Sequence, residues 1–208
     1  MTAEVIETDQ LPEADEGFNE YLVGVGKQQM AETVFYNERA MKAEWFKPSV
    51  MAELFGDALV SFASADCGLF NAGIFMEDMP EGEMTRYDFH RMLPHPINPC
   101  VIDLSGAELK EIYLQSLNKD WPQLELKGMG FRGAVFGRMI HSGMNMHNHQ
   151  LMVGGEPADP DRIYRLATLD LFTFGYFFPA LKRAPKSYFM PEFLRDVFGD
   201  YFRMKTVK

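Results

Sequence analysis

Residues 71–106 read N-A-G-I-F-M-E-D-M-P-E-G-E-M-T-R-Y-D-F-H-R-M-L-P-H-P-I-N-P-C-V-I-D-L-S-G. Glycine, proline and hydroxyl residues stand at the ends of short apolar runs. The stretch therefore predicts strands and short helices joined by turns of defined geometry. Thr85 is placed to cap a short helix through Met92, which Pro94 ends. Val101 to Leu104 predicts a strand. Ser105 and Glu108 form a capping box, with the serine accepting from one backbone N–H and the glutamate reaching back, and the helix it opens runs to about Asn118.

The pattern extends in both directions. Upstream, Lys47-Pro48-Ser49 predicts a helix start with proline in the first turn. Val50, Met51, Leu54, Phe55, Ala58, Leu59 and Phe62 then make one apolar stripe, with Glu53 and Asp57 facing out. Asp66 to Phe70 predicts a short buried strand. Downstream, residues 121–153 are rich in glycine and β-formers such as Phe131, Val135, Phe136 and Ile140, and predict strands joined by turns. Gly154-Gly155-Glu156-Pro157 and Asp159-Pro160-Asp161 are turns, and Ile163 to Leu169 is a strand. Pro191 opens a last helix with Phe193, Leu194, Val197, Phe198, Tyr201 and Phe202 on one side. Hairpin-like turns are too frequent for an all-parallel sheet. The fold class is α+β, with mixed β-sheets flanked by helices.

The chain has 208 residues, 47% hydrophobic and 24% charged, enough for one domain with a sizeable core. Its net charge of −10 disfavours a nucleic-acid partner. No window approaches a membrane span. Residues 1–26 hold seven acids and no lysine or arginine, leaving only about −3 for the rest. Residues 1–17 read as an acidic tail or interdomain linker and 18–208 as one domain. The N-terminus lacks the basic and apolar regions of a signal peptide, and Cys67 and Cys100 sit in apolar runs as buried thiols. Both point to a cytoplasmic location.

Several segments together resemble the C-terminal, substrate-binding domain of the 5′-nucleotidase and UDP-sugar hydrolase family of metallophosphoesterases, in a divergent bacterial branch. They are N-A-G at 71–73, P-E-G-E-M-T at 80–85, L-P at 93–94, L-S-G at 104–106, and G-E-P-A-D-P-D-R-I-Y-R-L-A-T at 155–168. The likeness covers roughly Val50 to Pro179. It implies a 5′-nucleotidase C-terminal-domain-like fold and candidate substrate-binding positions at Asn71, Gly73, Met76, His95, Asn98, Leu171, Phe172 and Phe174. In the family an arginine at the position of Met76 pairs with phosphate, using a planar fork that a thioether lacks. A phenylalanine stacks on the base where His95 stands, in the stiff loop Pro94-His95-Pro96-Ile97-Asn98-Pro99, which exposes its non-proline members. The family's second stacking aromatic is Leu171 here, with Phe172 and Phe174 nearby as substitutes. Tyr176 and Phe177 replace the family's ribose-binding Gly-Asp pair.

His141, His147 and His149 read mainly as exposed histidines of a hairpin tip, although an H-x-H pair on a strand would share one face. The combination of an N-terminal D-x-H, a G-D and a G-N-H-E/D that holds the family's two metals does not occur, nor does a P-loop or a G-x-S-x-G. The resemblance thus implies a specificity domain with no catalytic residue and no metal or other cofactor of its own. Two divalent metals are expected in an N-terminal metallophosphatase domain of the same parent protein, its partner. The expected ligand is a nucleotide or a related small phosphorylated molecule, and the isolated chain is expected to be inactive. The other reading is a free-standing small-ligand-binding or protein-interaction module without catalysis.

Overall fold

In the computed structural model, which describes residues 16–128 and 130–206, helix α1 (Glu16–Met30) leads into strand β1 (Thr33–Asn37). The segment 1–15 of the acidic leader lies outside the described residues, and Gly17 is already within α1. Helix α2 (Val50–Ala63) follows. Ser49 caps it by accepting from the Ala52 N–H at 3.3 Å, so Pro48 precedes the cap instead of occupying the first turn. A hydroxyl satisfying an otherwise unpaired N–H contributes about 1 kcal/mol. Met51, Phe55, Ala58 and Leu59 are buried as the stripe predicts, while Val50 and Phe62 at its ends are exposed.

Strand β2 (Cys67–Asn71) runs directly into a 3-10 turn at Ala72–Ile74. Strand β3 (Gly82–Thr85) pairs with β1 and ends on Thr85, the cap of helix α3 (Arg86–Met92). Strand β4 (Pro99–Ser105) ends on Ser105, which forms its capping box with Glu108 and opens helix α4 (Gly106–Gln115). Residues 121–138 depart from expectation. They hold a 3-10 turn at Trp121–Gln123 and irregular chain, and Phe131, Val135 and Phe136 are not in a strand. Regular pairing resumes with β5 (Met139–Ser142), β6 (Met144–His147), β7 (Gln150–Val153) and β8 (Glu156–Pro157). Strand β9 (Ile163–Leu169) leads to a 3-10 turn at Asp170–Phe174, helix α5 (Pro179–Arg183), strand β10 (Lys186–Tyr188) and helix α6 (Leu194–Thr206). The last helix starts beyond Pro191, where the Asp196 carboxylate accepts from the Phe193 N–H at 3.0 Å.

The main sheet has the order β10-β4-β9-β2-β5. Only β2 and β9 are parallel; the other neighbours are antiparallel, so the sheet is mixed as expected. All five residues of β2 are buried, which suits a central strand whose run Cys67-Gly68-Leu69-Phe70 does not alternate. Helix α2 covers the sheet, and α6 packs on α2. Phe55 joins these layers: its ring meets Phe75 edge-on at 4.9 Å and Phe198 at 4.2 Å. Fully burying one such ring contributes roughly 2–3 kcal/mol. Cys67 and Cys100 are buried free thiols.

Candidate functional site

The C-terminal end of β2 brings the first candidate residues to the irregular loop at 131–138. Asn71 is fully buried, and its Nδ2 donates to the Phe136 carbonyl at 2.7 Å. The Gly73 N–H donates to the same carbonyl at 2.9 Å. One carbonyl oxygen with two lone pairs thus fastens the N-A-G turn to the loop. Glycine is required at 73 because a Cβ there would run into the carbonyl oxygens of Val135 and Phe136. The Asn71 Oδ1 is buried without a hydrogen-bond partner.

His95 lies against the same loop. The stiff proline loop was expected to expose it, but it is 1% exposed, and Ile97 and Asn98 are buried as well. Its Nε2 lies 2.7 Å from the Ile74 carbonyl, and its Nδ1 accepts the Arg132 N–H at 2.8 Å. The two partners set the tautomer, since only a protonated Nε2 can serve a carbonyl and only a bare Nδ1 can accept. Burial pushes the imidazole pKa down to about 4. The Ile74 carbonyl pulls against that shift, and the charges of Arg132 and Arg195 add to it. One face of the ring stacks on Phe131, with centroids 5.1 Å apart and planes 4° from parallel. His95 is therefore a neutral imidazole with both nitrogens used and Phe131 on one face.

Phe172 joins the Asn71–Gly73 turn through Phe136, whose ring centroid is 5.9 Å away. Asn98 lies just before the start of β4 and Leu171 just beyond the end of β9: the Asp170 N–H donates to the Asn98 carbonyl at 3.0 Å, and Asn98 Nδ2 donates to the Glu192 carbonyl at 2.7 Å. Leu171 and Phe172 are fully buried, so neither offers a free face. Met76 is half-buried, with its N–H bonded to the Met92 carbonyl at the end of α3. Phe174 ends the 3-10 turn that also holds Leu171 and Phe172, but it is 55% exposed.

Sequence reasoning missed the residues that close this region. Phe131 and the backbone of Phe136 sit in a stretch read as strands, and only the glycine spacing 128-130-133-137 marked it as a folded loop. Arg132 is exposed, and among the described residues its guanidinium has no salt-bridge partner. Asp170 is half-buried with one carboxylate oxygen unpartnered, and burial raises its pKa. Tyr176 is 72% exposed beside Phe177.

The three clustered histidines also separate. His147 ends β6, and His149 lies in the β6–β7 turn at φ +63°, so the two do not share a strand face. Both are exposed, as expected of a hairpin tip. His141 is not at the tip. It lies within β5, half-buried, 2.7 Å from Ser116 Oγ and packed on Tyr113, and burial lowers its pKa to about 4. Among the described residues no three His, Cys, Asp or Glu side chains converge to hold a metal ion. None of the described helices is long and apolar enough to cross a membrane.

Residues 24–183 match the family described as 5′-nucleotidase, C-terminal domain. The metallophosphoesterase YunD of Bacillus subtilis (strain 168) is 34% identical over 182 residues, covering 82% of this chain and 39% of that protein. The crystal structure of a 5′-nucleotidase precursor from Thermus thermophilus superposes with a TM-score of 0.70 at 18% identity, covering 92% of this chain and 40% of that one. A putative 5′-nucleotidase from Staphylococcus aureus gives 0.68 at 16% identity, covering 98% and 43%. The chain thus spans about two fifths of the length of these relatives.

Proposed function

Since the chain belongs to the 5′-nucleotidase C-terminal domain family, we propose that it is the substrate-binding and specificity part of a metal-dependent, 5′-nucleotidase-like phosphoesterase. Its reaction is hydrolysis of a nucleotide phosphate, in nucleotide catabolism. The two divalent metals and the attacking water belong to a metallophosphatase domain of the same parent protein, and this chain supplies positioning and differential binding. The observation that carries this reading is the intact backbone frame of the N-A-G turn, in a chain spanning about two fifths of its relatives.

The ligand-facing groups differ from the family's. Met76 cannot bind phosphate, and His95 is buried on Phe131. Arg132, on the residue bonded to His95, offers an exposed guanidinium, and Phe174 and Tyr176 offer exposed rings. These three meet the ligand in our reading.

The test joins this chain to the metallophosphatase domain of its parent and follows manganese-dependent phosphate release from nucleoside 5′-monophosphates. The joined protein is expected to release phosphate and the isolated chain to release none. A joined, folded protein that hydrolyses a simple aryl phosphate but no nucleotide would overturn the assignment of substrate class.

A further inference from the structure

A cavity of about 240 Å³ lies between the end of α1, strand β1, helix α3 and the first turns of α6. It is smaller than the ~300 Å³ at which drug-sized sites begin, so it suits a small metabolite. We propose that it binds a free α-amino acid with an apolar side chain.

Three kinds of chemistry meet in this cavity. The first is an open cation. The half-buried Arg195 guanidinium lies over the Phe193 ring at 4.6 Å and makes one hydrogen bond, from Nη1 to the His95 carbonyl at 3.3 Å. Among the described residues it has no carboxylate partner. Its fork is free for a carboxylate. Arg86 and Arg203 differ, because both already hold Glu32, at 2.7 and 3.2 Å.

The second is available carboxylate oxygen. Asp196 gives one oxygen to the Phe193 N–H, and Asp200 makes only a 3.4 Å contact with Arg203. Both are exposed on the lining, where an ammonium group can reach them. The third is an apolar wall, to which Val34 and Phe89 contribute at 8% and 2% exposure. His90 lines the cavity too, and its Nδ1 is buried without a partner, one further polar contact for the ligand.

Charge selects among small ligands. The cations Arg86, Arg195 and Arg203 are balanced formally by Glu32, Asp196 and Asp200. A phosphate dianion would leave its charge uncompensated beside two aspartates. A zwitterion adds no net charge and pairs both of its ends.

The test is thermal unfolding of the full chain with millimolar L-leucine or L-methionine, set against 4-methylpentanoate, which lacks the amine, and isopentylamine, which lacks the carboxylate. The amino acids are expected to raise the melting temperature by mass action, and each analogue to bind at least about tenfold more weakly. Arg195→Met is expected to remove the effect. Gly199→Leu guards against a variant that simply fails to fold. A Cβ there has ordinary room, 3.7 Å from Val34 Cγ1, and the side chain would enter the cavity. This variant is expected to melt no lower than wild type and to show no leucine shift. No shift with either amino acid, an undiminished shift in Gly199→Leu, or 4-methylpentanoate binding as tightly as leucine would each overturn the proposal.

Discussion

The imidazole of His95 lies flat on the ring of Phe131, 5.1 Å between centroids, while both its nitrogens hold the backbone at Ile74 and Arg132. One side chain therefore couples the N-A-G turn, the proline loop and the glycine-rich loop. His95→Ala should cost about 2–4 kcal/mol, from a void plus two polar groups left unpaired in the interior. His95→Phe keeps a ring but still leaves the Ile74 carbonyl and the Arg132 N–H unsatisfied, and should cost about 1–3 kcal/mol. Urea unfolding measures both. A His95→Phe protein as stable as wild type would show that the two hydrogen bonds contribute nothing.

The same residue makes stability depend on pH. His95 has a folded-state pKa of about 4, below its ordinary 6.5, so between those values the unfolded chain binds more protons. Its contribution is complete above about pH 6.5 and is lost as pH falls toward 4, at most about 3 kcal/mol. Burial pushes the half-buried His141 down to about 4 as well, so it acts in the same direction. Urea midpoints between about pH 7 and pH 5 should therefore fall, and His141→Gln should fall less steeply. A flat profile in wild type would contradict the buried, neutral state of His95.

Gly73→Ala should destabilise by about 2–4 kcal/mol, because the new methyl meets backbone carbonyls that cannot rotate away. The comparison is Gly199→Ala. There the Cβ has room inside α6, and the change should stabilise by about 0.5–1 kcal/mol. Calorimetry on the two variants separates a glycine needed for space from one that is replaceable.

Much of the backbone was legible because its signals are local. Thr85, Ser105 and Glu108 announce their helices by capping chemistry alone: Thr85 caps α3, and the Ser105–Glu108 capping box forms. Strand β9 has the predicted bounds because Asp161 and Asp170 bracket a run of β-formers. The site was less legible because burial depends on what the rest of the chain lays over a residue. Nothing in Pro94-His95-Pro96 shows that Phe131 and Arg132 will cover the histidine. Residues 121–138 misled for a related reason. Their β-forming side chains fill space beneath a loop, and no neighbouring strand pairs with them. The aromatics of the C-terminal segment divide by position: Phe177, Phe178, Phe198 and Phe202 are buried, while Phe174 and Tyr176 remain in solvent.

Those two exposed rings should tolerate change. Phe174→Ser and Tyr176→Ser should alter the stability of this chain by no more than about 0.5 kcal/mol. In the protein joined to its metallophosphatase domain, either change should raise KM for a nucleotide about fivefold to tenfold, since stacking on a base is worth ~1 kcal/mol or more. An unchanged KM in both variants would remove these rings from the ligand-binding surface.

The buried thiols should be inert in the folded state. Burial pushes Cys67 and Cys100 up to about 12, so almost no thiolate is present at neutral pH. Alkylation should follow unfolding, with both residues modified only in denaturant. Rapid labelling of either in native buffer would contradict its burial.

The parallel contact between β2 and β9 sets the order of folding. Thr168 Oγ1 donates to the Leu69 carbonyl at 2.6 Å across 99 residues of chain. A ribosome delivers β2 long before its neighbour β9, and β4 cannot shield it, because β9 lies between them in the sheet. Closing so long a loop costs entropy before any pairing rewards it, which places the domain among slow folders. Until Ile163 to Leu169 emerge, the apolar run Cys67-Gly68-Leu69-Phe70 has an unpaired edge. The nascent chain is then most exposed to aggregation, and most dependent on chaperones, in the interval between making its second strand and its ninth.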